Sequence, residues 1–237
     1  MLPGLPGLQE GDRVLVVAAH PDDETLGMGG TIAILTAAGI VVEALAIGCV
    51  TAPMYAGASD AVTRTAEYDS ACDVLGVGQR HIAWIDDDHA ASPGRYLADL
   101  VALIETGPGP SLASTRPDAL FFPAGGHHQD HQAVHRAALA AARPGGSAAR
   151  PAPRLVAGYD GPEDRAWLAP ARHRPLLVDT SAAWPAKRKA LGCYASQIRF
   201  DPHPRSIEKI HAQDIAAGAV IGAQTAEAFA IYRMAAA

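Results

Sequence analysis

The feature that most narrows the folds open to this chain is a recurrence of short, unbroken apolar runs, each followed by a stretch of helical character. Arg13–Ala19 (RVLVVAA) is the first and Val41–Val50 the second; His81–Ile85 and Ala119–Pro123 follow. A strand with one solvated face alternates apolar and polar residues, whereas an unbroken run reads as a strand covered on both faces. Helical patterns separate the runs: Thr31–Ala38, stopped by Gly39; Ala61–Leu75, stopped by Gly76; Tyr96–Glu105, ending in TGPGP; and a stretch from Asp130 to Ala142. Glycine just past a helical pattern is a stop signal. Strands alternating with helices demand crossover connections and therefore a mainly parallel sheet.

Beyond the loop RPGGSAARPAPR come two more strand candidates, Leu155–Tyr159 and Leu176–Asp179, helices near Ala186–Ala195 and Ser206–Gly218, and a last short element, EAFAIYRM. The expected architecture is a Rossmann-like α/β fold, three layers α/β/α around a mainly parallel sheet, in a single domain over residues 1–237. A chain of 237 residues, 49% of them hydrophobic, supplies a sizeable core. Its formal net charge of -6 argues against a nucleic-acid binder, which usually shows a basic face. No apolar run approaches the roughly 18 residues of a membrane span, and the opening MLPGLPGLQEGDR lacks the basic segment of a secretory signal. Cys49, Cys72 and Cys193 stand far apart and read as free thiols in a reducing compartment, so a cytoplasmic protein is expected.

The chemistry gathers where two strands end. HPDDE follows the first strand directly, placing His20, Asp22, Asp23 and Glu24 at the carboxyl edge of the sheet, where open α/β folds bind their ligands. Three acids and an imidazole in one small pocket need a positive charge to offset repulsion and desolvation. A divalent cation is the simplest candidate, and histidine with carboxylate suits zinc. The following GMGG superficially resembles a dinucleotide fingerprint. Seven residues separate it from the strand, however, and the anions among them would repel a phosphate. These glycines read instead as a close approach of helix to strand. The second cluster, PAGGHHQDHQAVH, follows the fourth strand and so reaches the same edge with His127, His128, Asp130, His131 and His135. His131 and His135 are one helical turn apart and could chelate, as could His128 and His131 if the helix starts early. Asp130 is placed to orient an imidazole. His81, His89, His173, His203 and His211 read as structural or surface residues.

The two motifs, AHPDDE at 19–24 and HQDH at 128–131, together resemble the PIG-L/LmbE-like family of zinc-dependent de-N-acetylases. TRTAEYDSACDVLGV, with Arg64 and Glu67, KRKALGCYASQ and AEAFAIYR are similar to further segments of that family. The resemblance implies hydrolysis of an N-acetyl group on a small glucosamine-type sugar or glycoside. It implies zinc, or another divalent ion such as iron, held by His20, Asp23 and His131. Asp22 then matches the general base, and His128 the histidine that stabilises the oxyanion or protonates the leaving amine, with Asp130 behind it. Arg64 matches a substrate-contacting arginine. An amidase of the same fold, cleaving a longer acyl chain or a thiol conjugate, is the alternative. Three departures stand out: Gln129 replaces a common proline, Cys193–Tyr194 occupies the place of a histidine, and IDDDHA replaces an aspartate–glycine pair, leaving Asp86 and Asp87 as candidates there. Met54, Tyr55 and Trp167 are candidate contacts for an acceptor ring or packing residues.

Overall fold

A computed structural model describes residues 5, 7–54, 57–144, 152–167 and 176–235. The chain runs β1 (Arg13–Ala18), α1 (Asp23–Ala37), β2 (Val41–Cys49), a hairpin of β3 (Ala52–Met54) and β4 (Gly57–Ser59), α2 (Ala61–Leu75), β5 (Arg80–Ile85) and α3 (Asp88–Ala91). It continues with α4 (Leu97–Thr106), α5 (Leu112–Thr115), β6 (Ala119–Pro123), α6 (Gln129–Ala141), β7 (Leu155–Tyr159) and α7 (Pro162–Trp167). β8 (Leu176–Asp179), α8 (Trp184–Leu191), α9 (Ile207–Ala219) and β9 (Ala226–Met234) complete it. Seven strands form one sheet in the order β5-β2-β1-β6-β7-β9-β8. The first five are parallel, and β9 runs antiparallel to both β7 and β8.

Strand alternation sorts β1 between two cores. Val14, Val16 and Ala18 pack with Met28, Ile32 and Leu35 of α1 and Ala71 and Leu75 of α2. Leu15 and Val17 face the other way, onto Leu100 and Ile104 of α4 and Val134, Ala137 and Ala138 of α6. All of these are at most 1% exposed, which is why no polar residue follows Arg13 in the run. The expected three layers are present. Among the described residues no helix is long and apolar enough to cross a membrane.

The sequence reading placed the start of the first helix at Thr31, but α1 begins at Asp23 and kinks at Met28 (φ -147°, ψ 23°). The kink exposes amide groups in the middle of the helix. Glu227 of β9 takes two of them, accepting from Gly30 N at 2.9 Å and Thr31 N at 2.7 Å. Lys187 of α8, 0% exposed, balances that buried carboxylate and the Asp214 carboxylate at 2.7 Å each. Arg165 adds bonds to Asp214 and to the Gly27 carbonyl. Gly27 itself lies against the Tyr159 ring, where an added Cβ would stand 2.2 Å from Cδ2. This close approach is the role expected for the glycines. The segment GPEDRAW is mostly the helix α7, and DDDHAASPG forms α3 and a 3₁₀ turn.

Candidate active site

Three neighbouring parallel strands deliver the site. β1 ends in His20–Asp23, β6 in the His127–His131 segment, and β7 in Glu163 and Asp164 at the start of α7. The chain leaves β1 towards β2 on one side, and β6 lies on the other, so the cluster sits at the switch point of the sheet.

Asp23 is 2% exposed and lies between two imidazoles, with Oδ2 3.5 Å from His20 Nδ1 and Oδ1 3.3 Å from His131 Nε2. Oδ2 also accepts from the His20 amide at 2.8 Å, which fixes the carboxylate. His20, His128 and His131 each offer a ring nitrogen, all within 4.8 Å of one another, and among the described residues this group could hold a metal ion; it differs from the expected set, which has Asp23, in contact with two of these imidazoles, in place of His128. Charge points to the same demand for a cation. Burial opposes the His20 cation, yet hydrogen bonds to Asp130 and Asp23 raise its pKa. Burial likewise opposes protonation of His131, but Asp23 and Asp164 push its pKa to about 10. Burial resists ionisation of Asp23, but the His131 charge holds its carboxyl well below the ordinary range. The cluster thus attracts protons where a divalent ion would sit, and its donors fit such an ion.

The surrounding contacts differ in part from those expected. Asp130 Oδ2 lies 3.1 Å from His20 Nε2 and only 3.7 Å from His128 Nδ1, so the aspartate orients His20 more closely than His128. His128 caps α6, its Nδ1 accepting from the Asp130 amide at 3.3 Å. Burial, together with His20 and His131 nearby, lowers its pKa. His135 turns away, with Nδ1 3.1 Å from the Pro123 carbonyl. Asp22 is 1% exposed; Oδ2 accepts from Arg205 at 3.0 Å, while Oδ1 is buried with no hydrogen-bond partner among the described residues. Arg64 is 8% exposed, and its Nε likewise has no partner among the described residues. It lies close enough to the end of β2 to act on the Cys49 thiol, as do Asp22 and Asp86.

Asp86 and Asp87 are both committed to backbone structure: Asp86 binds the Thr51 amide and hydroxyl, and Asp87 caps α3 through Ala90 N. Tyr194 donates to Glu24 at 2.7 Å, and Glu67 accepts from the amide and hydroxyl of Ser196, tying the SQ segment to α2. His89 makes tilted ring contacts with Tyr96 and Trp84, and His211 stacks on Trp184. His173 and Tyr55 lie outside the described residues.

Two site residues escaped the sequence reading. Asp164 accepts from the His127 amide at 2.8 Å and stands 3.7 Å from His131 Nδ1. It fits only because Gly126 (φ +71°) has no side chain; a Cβ there would lie 2.1 Å from Asp164 Oδ2. Arg205 bridges Asp22 and Glu163 from the loop between α8 and α9. The charged run PEDR hinted at the first; nothing local marked the second. Together His20, His127, His128, His131, Glu163, Asp164, Trp167 and Arg205 line a cavity of about 370 Å³.

The sheet edge and its histidine–carboxylate cluster define an α/β protein with a group that could hold a metal ion at the carboxyl ends of its strands. The chain belongs to the PIG-L family, described as GlcNAc-PI de-N-acetylase, whose model matches residues 15–142. A relative from Nocardia farcinica, 1D-myo-inositol 2-acetamido-2-deoxy-alpha-D-glucopyranoside deacetylase, is 28% identical over 81% of this chain and 82% of its own. A conserved protein from Thermus thermophilus has a similar structure, with a TM-score of 0.67, 28% identity, and coverage of 91% of this chain and 92% of that one. The N,N'-diacetylchitobiose deacetylase from Pyrococcus horikoshii shares the fold at a TM-score of 0.69, with 22% identity and coverage of 93% and 83%.

Proposed function

We propose that this protein is a zinc-dependent hydrolase that removes the acetyl group from a small N-acetylated amino sugar of the N-acetylglucosaminyl type, releasing acetate and a free amine. Fold alone does not fix a reaction. The observation that carries this one is the meeting of the Asp23 carboxylate with two imidazoles beside a buried Asp22 oxygen that lacks a partner among the described residues. His20, Asp23 and His131 would hold the ion, leaving His128, the third imidazole of the cluster, free to act on the substrate; three protein ligands suit a catalytic rather than a structural site. A divalent ion there supplies Lewis-acid polarisation of the acetamide carbonyl and an acidified water.

The chain's own residues do the rest. Asp22 takes the water's proton on Oδ1, because Arg205 occupies Oδ2. His128 accepts at Nδ1 from a backbone amide, which leaves its proton on Nε2. Its lowered pKa favours a neutral ring, so it serves as a hydrogen-bond donor to the developing oxyanion rather than as an imidazolium. Asp22 then returns the proton to the departing amine, which cannot leave as an anion. Asp130 and Asp164 orient His20 and His131. Arg64, buried and with Nε unpaired among the described residues, is assigned to the substrate although it does not line the cavity. Free thiols at Cys49, Cys72 and Cys193 favour a cytoplasmic setting.

The test is acetate release from a panel of N-acetylated and longer N-acylated sugars, with and without chelator. Asp22→Ala should keep its zinc while kcat falls by roughly 10²–10⁴. Full activity in that variant, or release unaffected by chelation, removes the proposal.

A further inference from the structure

Trp167 ends α7 at the rim of the cavity, 62% exposed, with its ring centroid 6.1 Å from that of His127. Large aromatic rings normally bury, and α7 does not need this one as an anchor. Glu163 holds Arg205, Asp164 holds the His127 amide, and Arg165 reaches Asp214 and the Gly27 carbonyl. Every other residue lining the cavity is an imidazole or carries charge. Such groups satisfy the hydroxyl rim of a pyranose but leave its C–H face without an apolar partner. The indole supplies a flat, electron-rich surface of matching size.

We propose that Trp167 is the specificity-determining platform on which the ring of the acetylated substrate stacks, an inference that rests on the deacetylase reading above. Trp167 is the one tryptophan lining the cavity among the described residues; Trp84 lies beside His89 and Trp184 stacks on His211. Its emission therefore reports occupancy directly.

The zinc-loaded full chain is assayed with the methyl glycoside of N-acetylglucosamine and with N-acetylethanolamine, which has no ring. Trp167→Ala should raise KM for the glycoside about tenfold, the scale of one lost aromatic contact, with little change in kcat. The acyclic amide should be affected less than twofold, and Trp167→Phe should recover most of the glycoside KM. Titrating the glycoside should quench the native emission, and Trp167→Phe should abolish that quench. Equal effects on both substrates, or no change in KM, would overturn the platform. If the native protein hydrolyses neither compound, the deacetylase reading fails, and the fluorescence titration alone decides the platform: a quench lost in Trp167→Phe supports it, and no quench overturns it.

Discussion

Glu24 stands beside the proposed ligands yet points away from them, towards Tyr194 and Thr25, with no exposure to solvent. Burial pushes its pKa up to about 7 from an ordinary 4.5. The folded state therefore binds more protons than the unfolded state between these values, and stability falls as pH rises through that window. Above pH 7 the ionised group costs ~3 kcal/mol. Glu24→Gln keeps an acceptor for Tyr194 but cannot ionise, so it should be progressively more stable than the native chain from pH 4.5 to pH 7. A difference in melting temperature that stays constant across this range would refute the assignment. Asp164→Asn removes the anion facing His131, and zinc affinity measured by chelator competition should drop 10–100-fold; unchanged affinity would reduce Asp164 to a structural role. The motif residues were legible because each cluster is contiguous in sequence and follows a strand. Asp164 and Arg205 were not, because Asp164 sits 37 residues from its His127 partner and Arg205 sits 183 residues from Asp22.

At the scale of elements, every apolar run read as a strand is one; burial on both faces explains the composition of β1, β2, β6 and β7, while the edge strands β5 and β8 are only partly buried. Strand direction carries no comparable mark, and the antiparallel placing of β9 between β7 and β8 was not readable. The true start of α1 was hidden by its acids and glycines. Acids are favoured in a first helical turn, and the glycines serve contacts with Tyr159 and Thr180 that exist only in the folded chain. The hairpin β3–β4 and the short α3 and α5 were too brief to leave a pattern. The triad of Lys187, Asp214 and Glu227 joins α8, α9 and β9 beneath α1. Lys187→Met leaves the buried Glu227 carboxylate without a cation, while Asp214 keeps Arg165, and should cost about 3–5 kcal/mol in a urea titration. A loss below about 1 kcal/mol would mean that the network relaxes without its cation.

For the molecule as a whole, a metal ion would have to compete with protons for one cluster. His131, with its pKa near 10 in the ion-free protein, carries a proton at neutral pH and must release it to become a ligand. His20 is shifted in the same direction. Zinc affinity should therefore rise with pH through the neutral range, and calorimetry at about pH 7.5 in two buffers of different ionisation enthalpy should register release of about one proton or more. Binding without proton release would place the ion elsewhere.

Glu227 closes the broken turn of α1 from the final strand of the fold. During synthesis the helix bearing Asp23 leaves the ribosome long before the carboxylate that finishes it. Without that strand the two amides would lack their acceptor, and the acidic turn ahead of them would lose a brace. The acidic turn thus leans on a carboxylate 197 residues beyond Gly30, so loss of β9 would disturb a cluster whose own residues lie far upstream.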